Sequence, residues 1–265
     1  MAGPYPFKGK VIAITGASRG TGLALAKYLL IRGAAVSMCA TTADNLATAL
    51  SAIEKEIPDV EGRVMTAVVD IGKLDTVKEW IDKTVERFGK LDGAANVAAV
   101  EQRDIFPIAD IDPDYFAKLL HVNVVGTFHS VREEMRNMKE GGSIVNVGSI
   151  TSNYASAGVS AYIASKHAIV GLTKCAAFEG AQKRIRVNAL CPGCIDTDMM
   201  HKPFNSPNGQ FYLSADNVPC ITNRLAEPWE VAASIAFLLG DESKFVNKAT
   251  WFVDGGWVEG NYSSG

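Results

Sequence analysis

The chain has 265 residues and 48% hydrophobic content, enough to bury a large core. Its 26 basic and 29 acidic side chains are evenly scattered and give a formal charge of −3, so there is no basic stripe to track nucleic acid or an anionic bilayer. Five cysteines without a regular framework exclude a disulfide scaffold and suit reduced thiols, and neither an export signal nor a run of 18 apolar residues is visible, so a soluble cytoplasmic protein is expected.

In chain order, β-branched runs at Val11–Thr15, Ala35–Cys39, Arg63–Val69, Leu91–Ala95, Ser143–Val147, Ile185–Leu190 and Thr250–Val253 read as strands. Helical spacing of apolar residues marks Gly20–Arg32, Ala43–Glu56, Leu74–Phe88, Pro113–Lys139, Ser160–Gln182 and Pro228–Leu239. The alternation predicts an α/β fold: a seven-stranded parallel sheet, doubly wound and flanked by helices, with ligands at the carboxyl ends of its strands. No linker interrupts it, so residues 1–265 are expected to form one domain. The irregular stretch 199–226, rich in Pro, Asn and aromatics, is expected to be a substrate-covering loop, with Phe204, Phe211, Tyr212 and Leu213 either facing substrate or anchoring the loop.

Between the first strand and first helix lies Thr15-Gly16-Ala17-Ser18-Arg19-Gly20-Thr21-Gly22. Glycines at 16, 20 and 22 let the backbone turn tightly, and the following helix offers its positive end to a pyrophosphate. Farther on, Tyr162 and Lys166 are four apart on one helix and share a face. A neighbouring ammonium favours phenolate, so Tyr162 is expected to titrate below its ordinary value and to pass protons near neutral pH.

These segments resemble the classical short-chain dehydrogenase/reductase family: the Thr-Gly-x-x-x-Gly-x-Gly turn, Tyr-x-x-x-Lys, and Ser149 thirteen residues before Tyr162. The resemblance spans nearly the whole chain and implies a Rossmann-type fold and hydride transfer between a nicotinamide and a carbonyl or alcohol. It implies that Ser149 holds the substrate oxygen, that Tyr162 and Lys166 pass the proton, and that Asn123 holds a water linking Lys166 to solvent. Tyr162 and Lys166 would also touch the cofactor, joined by Asp70 and Ile71 beside the adenine and Asn96 after the fourth strand. Pro192, Gly193, Ile195 and Thr197 would close on the nicotinamide. Family members often form homo-oligomers, so a tetramer or dimer is expected; Ala168, Ile169, Leu172 and Ala176 could serve either that interface or the core. Cys191-Pro192-Gly193-Cys194 is explained better by the cofactor turn than by redox chemistry, and no cluster suggests a metal.

NADP(H) is the expected cofactor. The second strand ends in Cys39-Ala40-Thr41-Thr42, with no carboxylate to repel a 2′-phosphate, whereas Arg19, Ser18, Thr41 and Thr42 could bind one. Arg19 merely solvated on the turn is the alternative. The partner is then a small or medium, apolar organic molecule, reduced at a carbonyl in the cytosol. A non-redox enzyme on the same fold (dehydratase, isomerase or cyclase) and a catalytically silent NADPH-binding protein are the competing readings. Two departures from the family stand out. Ala95-Asn96-Val97-Ala98 puts a methyl where glycine is usual, and Gly148 replaces a first serine before Ser149.

Overall fold

The computed structural model describes residues 6–206, 208–211, 213–214 and 216–257. The strands are β1 (Val11–Thr15), β2 (Ala35–Ala40), β3 (Val64–Val68), β4 (Gly93–Asn96), β5 (Ser143–Val147), β6 (Arg186–Pro192), β7 (Phe204–Ser206), β8 (Gly209–Phe211) and β9 (Thr250–Val253). The helices are α1 (Gly20–Ile31), α2 (Ala43–Glu56), α3 (Leu74–Phe88), α4 (Pro113–Leu120), α5 (Gly126–Asn137), α6 (Ser160–Gly180) and α7 (Pro228–Leu239). Seven parallel strands form one sheet in the order β3-β2-β1-β4-β5-β6-β9.

Strands covered on both faces need apolar residues throughout rather than alternation, and all five residues of β1 are buried. Ile12 and Ile14 point into one core with Leu25 and Leu29 of α1, Ile53 of α2 and Ile235 of α7. Ala13, between them, points into the other, with Trp80 and Ile81 of α3, Val131 of α5 and Ala177 of α6. Trp80 is fully buried and its indole N–H donates to Ser37 Oγ at 2.8 Å; truncation to alanine would cost about 3–5 kcal/mol.

Helix ends follow from local chemistry. Asp112 accepts from the backbone N–H of Asp114 and Tyr115, and Pro113 opens α4 at a position that needs no donor. Gly89 closes α3 at φ 78°, the left-handed conformation that favours glycine.

The chain runs from β1 outward through β2 to β3, then returns to β4 on the other side of β1. That reversal opens a crevice at the carboxyl ends of β1 and β4, where this architecture takes its ligands.

Three expectations need correction. The single helix expected over 113–139 is two, α4 and α5, joined by a π-helical turn at His121–Val125. Three valines in that turn stiffen the backbone, and Asn123 is held from outside, so the helix takes up an extra residue there. β6 extends past Leu190 to Pro192, because beyond its pairing with β5 it bonds only to β9 and a missing proline N–H is tolerated. The stretch 199–226 is not structureless: β7 and β8 pair within it as an antiparallel hairpin.

Candidate active site

The glycine turn is built for backbone to approach backbone. A Cβ on Gly22 would lie 2.3 Å from the Gly16 carbonyl oxygen, and one on Gly16, at φ +67°, would lie 2.8 Å from Ala98 Cα. The methyl of Ala98, one of the departures noted above, therefore packs directly on this turn. Arg19 makes no side-chain cap on α1, and the first helical residues carry no acid, which leaves the positive helix end for an anionic group. These features fit a dinucleotide pyrophosphate. Arg19 is exposed and without a side-chain hydrogen bond or ion pair among the described residues, with exposed Thr41 and Thr42 at the end of β2. Asp70 is exposed at the end of β3, its Oδ1 accepting from the Gly72 N–H at 3.0 Å, and Ile71 is buried beside α5.

Ser149 follows β5, while Tyr162 and Lys166 lie in the first turns of α6, so strand end and helix start converge. The Ser149 hydroxyl faces the Tyr162 phenol. Lys166 Nζ donates to the Val147 carbonyl at 3.0 Å and lies 5.6 Å from the centre of the Tyr162 ring. Spacing of four does bring the pair together, but the expected acidification of the phenol is not what the protein groups produce. Burial pushes Tyr162 well above its ordinary range, the Glu101 carboxylate adds to the rise, and Ser149 opposes it. Lys166 goes the other way: loss of hydration lowers it to about 8, against the pull of Cys191 and Glu101. Near neutrality the site therefore presents a phenol that holds its proton beside an ammonium, and such a pair can donate a proton to a forming alkoxide.

Asn123, 1% exposed, sits in the π turn. Its Oδ1 accepts from Val100 N–H at 2.8 Å, and its Nδ2 donates to the Val100 carbonyl at 2.9 Å and to Ser165 Oγ at 3.0 Å. The side chain thus clamps the segment after β4 against α6.

That segment holds residues the sequence did not reveal. Gln102 is fully buried and reaches the start of α6, where Val159 offers no capping side chain. Its Oε1 accepts from the N–H groups of Ala161 at 3.1 Å and Tyr162 at 3.3 Å; its Nε2 donates to the carbonyls of Gly158 and Asp104. A loop amide thereby satisfies helix-end donors that no local residue can. Arg103 donates to the carbonyls of Met199 and Lys202, stacks 4.4 Å over the Phe204 ring, and pairs with Glu101 at 2.6 Å. Phe204 is buried, so it anchors this stretch on the core. Phe211 contributes its backbone to β8, Leu213 is partly exposed, and Tyr212 lies outside the described residues.

From the other side comes Pro192-Gly193-Cys194-Ile195-Asp196-Thr197. Ile195 bridges to Ala226, and Thr197 approaches the phosphate turn so closely that a Cβ on Gly20 would lie 3.3 Å from its methyl. Cys191 and Cys194 are both free thiols. A Cβ at Gly148 would meet Cys191 Sγ and Ser152 Oγ, each at 2.7 Å, so the missing serine is replaced by space that the thiol fills. A cavity of about 180 Å³ is lined by Cys194, Cys220, Arg224 and Trp257 among others.

The Asn96 amide turns into the core, donating to Glu134 Oε2 at 3.0 Å and Asn146 Oδ1 at 2.9 Å, and so braces the end of β4; its backbone remains at the carboxyl edge of the sheet. Of the four α6 residues left open, Ile169 and Ala176 are buried in the core, Leu172 packs partly against it, and Ala168 is half-buried.

A doubly wound sheet, a glycine turn at its switch point and a Ser-Tyr-Lys cluster at the carboxyl end of the same sheet define a nucleotide-dependent oxidoreductase. Residues 16–258 match the family model described as enoyl-(acyl carrier protein) reductase. The chain is 41% identical over 255 residues to the short-chain dehydrogenase/reductase aba4 of Botryotinia fuckeliana, covering 95% of this chain and 98% of that one. It is 32% identical over 255 residues to the levodione reductase of Leifsonia aquatica, covering 94% of each. A short chain dehydrogenase from Burkholderia cenocepacia, solved in complex with NADP, superposes with a TM-score of 0.83 at 30% identity, over 95% of this chain and 98% of the other. The protein belongs to the short-chain dehydrogenase/reductase family. Among the described residues, no helix is long and apolar enough to cross a membrane.

Proposed function

We propose that this protein is an NADP(H)-dependent carbonyl reductase acting on a small or medium, largely apolar organic substrate. The observation that carries this is the convergence of Ser149, Tyr162 and Lys166 at the carboxyl end of the sheet that also carries the glycine turn, with the phenol keeping its proton. Bound NADPH would supply the hydride. Gly16, Gly20, Thr21 and Gly22 would hold its pyrophosphate, Asp70 and Ile71 its adenine, and Pro192, Gly193, Ile195 and Thr197 its nicotinamide end. Ser149 orients and polarises the substrate carbonyl, Tyr162 gives its proton to the oxygen as negative charge develops, and the Lys166 ammonium stabilises that charge. Asn123 keeps α6 in register with the segment after β4.

Support for NADP over NAD is the free, exposed Arg19 with Ser18, Thr41 and Thr42 beside it and no acid at the end of β2. The NADP complex of the Burkholderia relative agrees with this choice. A carbonyl substrate is supported by a levodione reductase among the relatives. We further propose that the protein is cytoplasmic and forms a homo-oligomer; the oligomer is supported by exposed Trp251 on the edge strand β9 and by Phe237 packed edge-on against it.

The test is loss of NADPH absorbance when purified protein meets a panel of ketones, quinones and cyclic natural products. Stoichiometric oxidation of NADPH with formation of the alcohol is expected. Binding without turnover across the panel would overturn the reductase, and so would product formed without NADPH loss.

A further inference from the structure

We infer that Ser152 is a positioning residue for the reduction: its hydroxyl ties the backbone of Ser149 to α6 and so fixes where the Ser149 hydroxyl meets the substrate oxygen. The role deepens the proposed reductase function and rests on it.

Ser149 caps a single 3₁₀ turn, Ile150–Ser152, that follows β5. Ser152, at the end of that turn, is buried. Its Oγ accepts from the Ser149 N–H at 3.1 Å and donates to the Lys166 carbonyl at 2.9 Å. The partners settle these directions, since a backbone N–H can only donate and a carbonyl can only accept. Lys166 also reaches the strand end by its other extremity, Nζ donating to the Val147 carbonyl at 3.0 Å. One lysine therefore grips the strand end twice: its ammonium holds Val147, and its carbonyl, through Ser152, holds Ser149. Between them the Gly148 N–H donates to the Leu190 carbonyl of β6 at 2.7 Å, so Val147–Ser149 is fixed on two sides.

The same turn aims the Ser149 hydroxyl. Its Oγ accepts from the Thr151 N–H at 3.2 Å, while Ser152 returns a bond to the Ser149 N–H, the reciprocal arrangement of a capping box. One lone pair is thereby engaged, and the O–H is left for a substrate carbonyl.

The place that Ser152 Oγ occupies has no slack. A Cβ on Gly148 would lie 2.7 Å from it and 2.7 Å from Cys191 Sγ, so the bare backbone at 148 is what admits the hydroxyl. With the hydroxyl removed, Ser149 loses its tie to α6, and a displacement of about 1 Å at a group that orients substrate can cost about 100-fold in rate.

The test is steady-state kinetics with NADPH and a ketone that wild type reduces. Ser152→Ala should lower kcat at least about fivefold and leave KM for NADPH within about twofold, because the cofactor's contacts stay in place. The pH dependence of kcat/KM should keep its wild-type shape, since no titrating group has changed. Thermal melting identifies a variant that fails to fold. In that event Ser152→Cys decides, its thiol being only a weak donor and acceptor, with a fall in kcat of at least about twofold expected. A smaller loss of kcat in the folded variant, a KM for NADPH raised in proportion, or a profile displaced along the pH axis overturns the role of Ser152 and leaves the reductase standing. No NADPH oxidation with any ketone of the wider panel overturns both.

Discussion

Lys166 Nζ lies 5.6 Å from the centre of the Tyr162 ring and is anchored at 3.0 Å on the carbonyl of Val147, so the end of β5, rather than the phenol oxygen, holds the ammonium. Strand end and helix start are thereby locked together, and the two groups titrate in opposite directions. Burial raises the phenol and lowers the ammonium to about 8. Below that value both carry their protons; above it the cation is lost first.

The consequence is a one-sided pH profile for reduction. kcat/KM should be flat from about pH 6 to 7 and should decline as pH rises through about 8, where Lys166 loses the charge that stabilises the developing alkoxide. Lys166→Met should lower the plateau by about 100-fold and remove the decline, whereas Lys166→Arg keeps a charge and should retain part of the rate at high pH. Steady-state rates across that range decide it. A wild-type profile without a decline would remove Lys166 from the reaction.

Tyr162→Phe should abolish turnover, by at least about 100-fold, and leave NADPH affinity within a few-fold, because the ring stays and only the proton goes. Fluorescence titration with NADPH separates the two effects. Residual activity within tenfold of wild type would assign the proton to another group.

Much of this site is readable in the sequence because its parts are local. Gly16, Gly20 and Gly22 fall within one turn, and Tyr162 and Lys166 within one helical turn, so spacing alone brings each set together. Asn123 was legible as a polar residue in an apolar helix, but not the π turn that carries it, since apolar spacing continues on both sides. Gln102 was invisible: its partners on and before α6 lie 56 to 60 positions away, and nothing in an aperiodic loop signals a cap supplied from elsewhere. The partners of Asn96 were equally hidden, because Glu134 and Asn146, which take its amide, lie on other elements. The direction of the Tyr162 shift also needed three dimensions, because burial and the carboxylate of Glu101 outweigh the neighbour four residues on.

Arg19 offers a direct check on cofactor choice. Wild type should use NADPH over NADH by at least about 10-fold in kcat/KM, and Arg19→Ala should lose most of that preference through a higher KM for NADPH alone. Equal use of both cofactors by wild type would defeat the assignment.

Gln102→Ala strips the acceptor from the N–H groups of Ala161 and Tyr162 and the donor from two carbonyls. A loss of about 1–3 kcal/mol in stability is expected from the unpaired buried groups. kcat should fall well beyond any change in KM for NADPH, since a displacement of about 1 Å at a catalytic group can cost about 100-fold. Denaturant melts and steady-state kinetics read the two separately. A destabilised variant with unchanged kcat would make Gln102 a purely structural cap.

Glu134 makes stability depend on pH. It is fully buried, and burial holds its carboxyl up to about 8 despite the hydrogen bond from Asn96. Two oxygens around it, Glu134 Oε1 and Asn96 Oδ1, are buried without a partner, and one proton on the carboxyl would let the first donate to an acceptor such as the second. A carboxyl raised from 4.5 in the unfolded chain to about 8 in the fold binds its proton more tightly when folded. Its contribution is therefore complete below about pH 4.5 and is lost as pH rises through about 8, a change on the order of a few kcal/mol. Glu134→Gln keeps a neutral donor and acceptor in the same shape, so its stability should lack this slope. Urea denaturation of both proteins at about pH 5, 6, 7 and 8 should show wild type falling relative to the variant with each step. Parallel curves would mean that Glu134 is ionised throughout, and that some other donor satisfies it in the core.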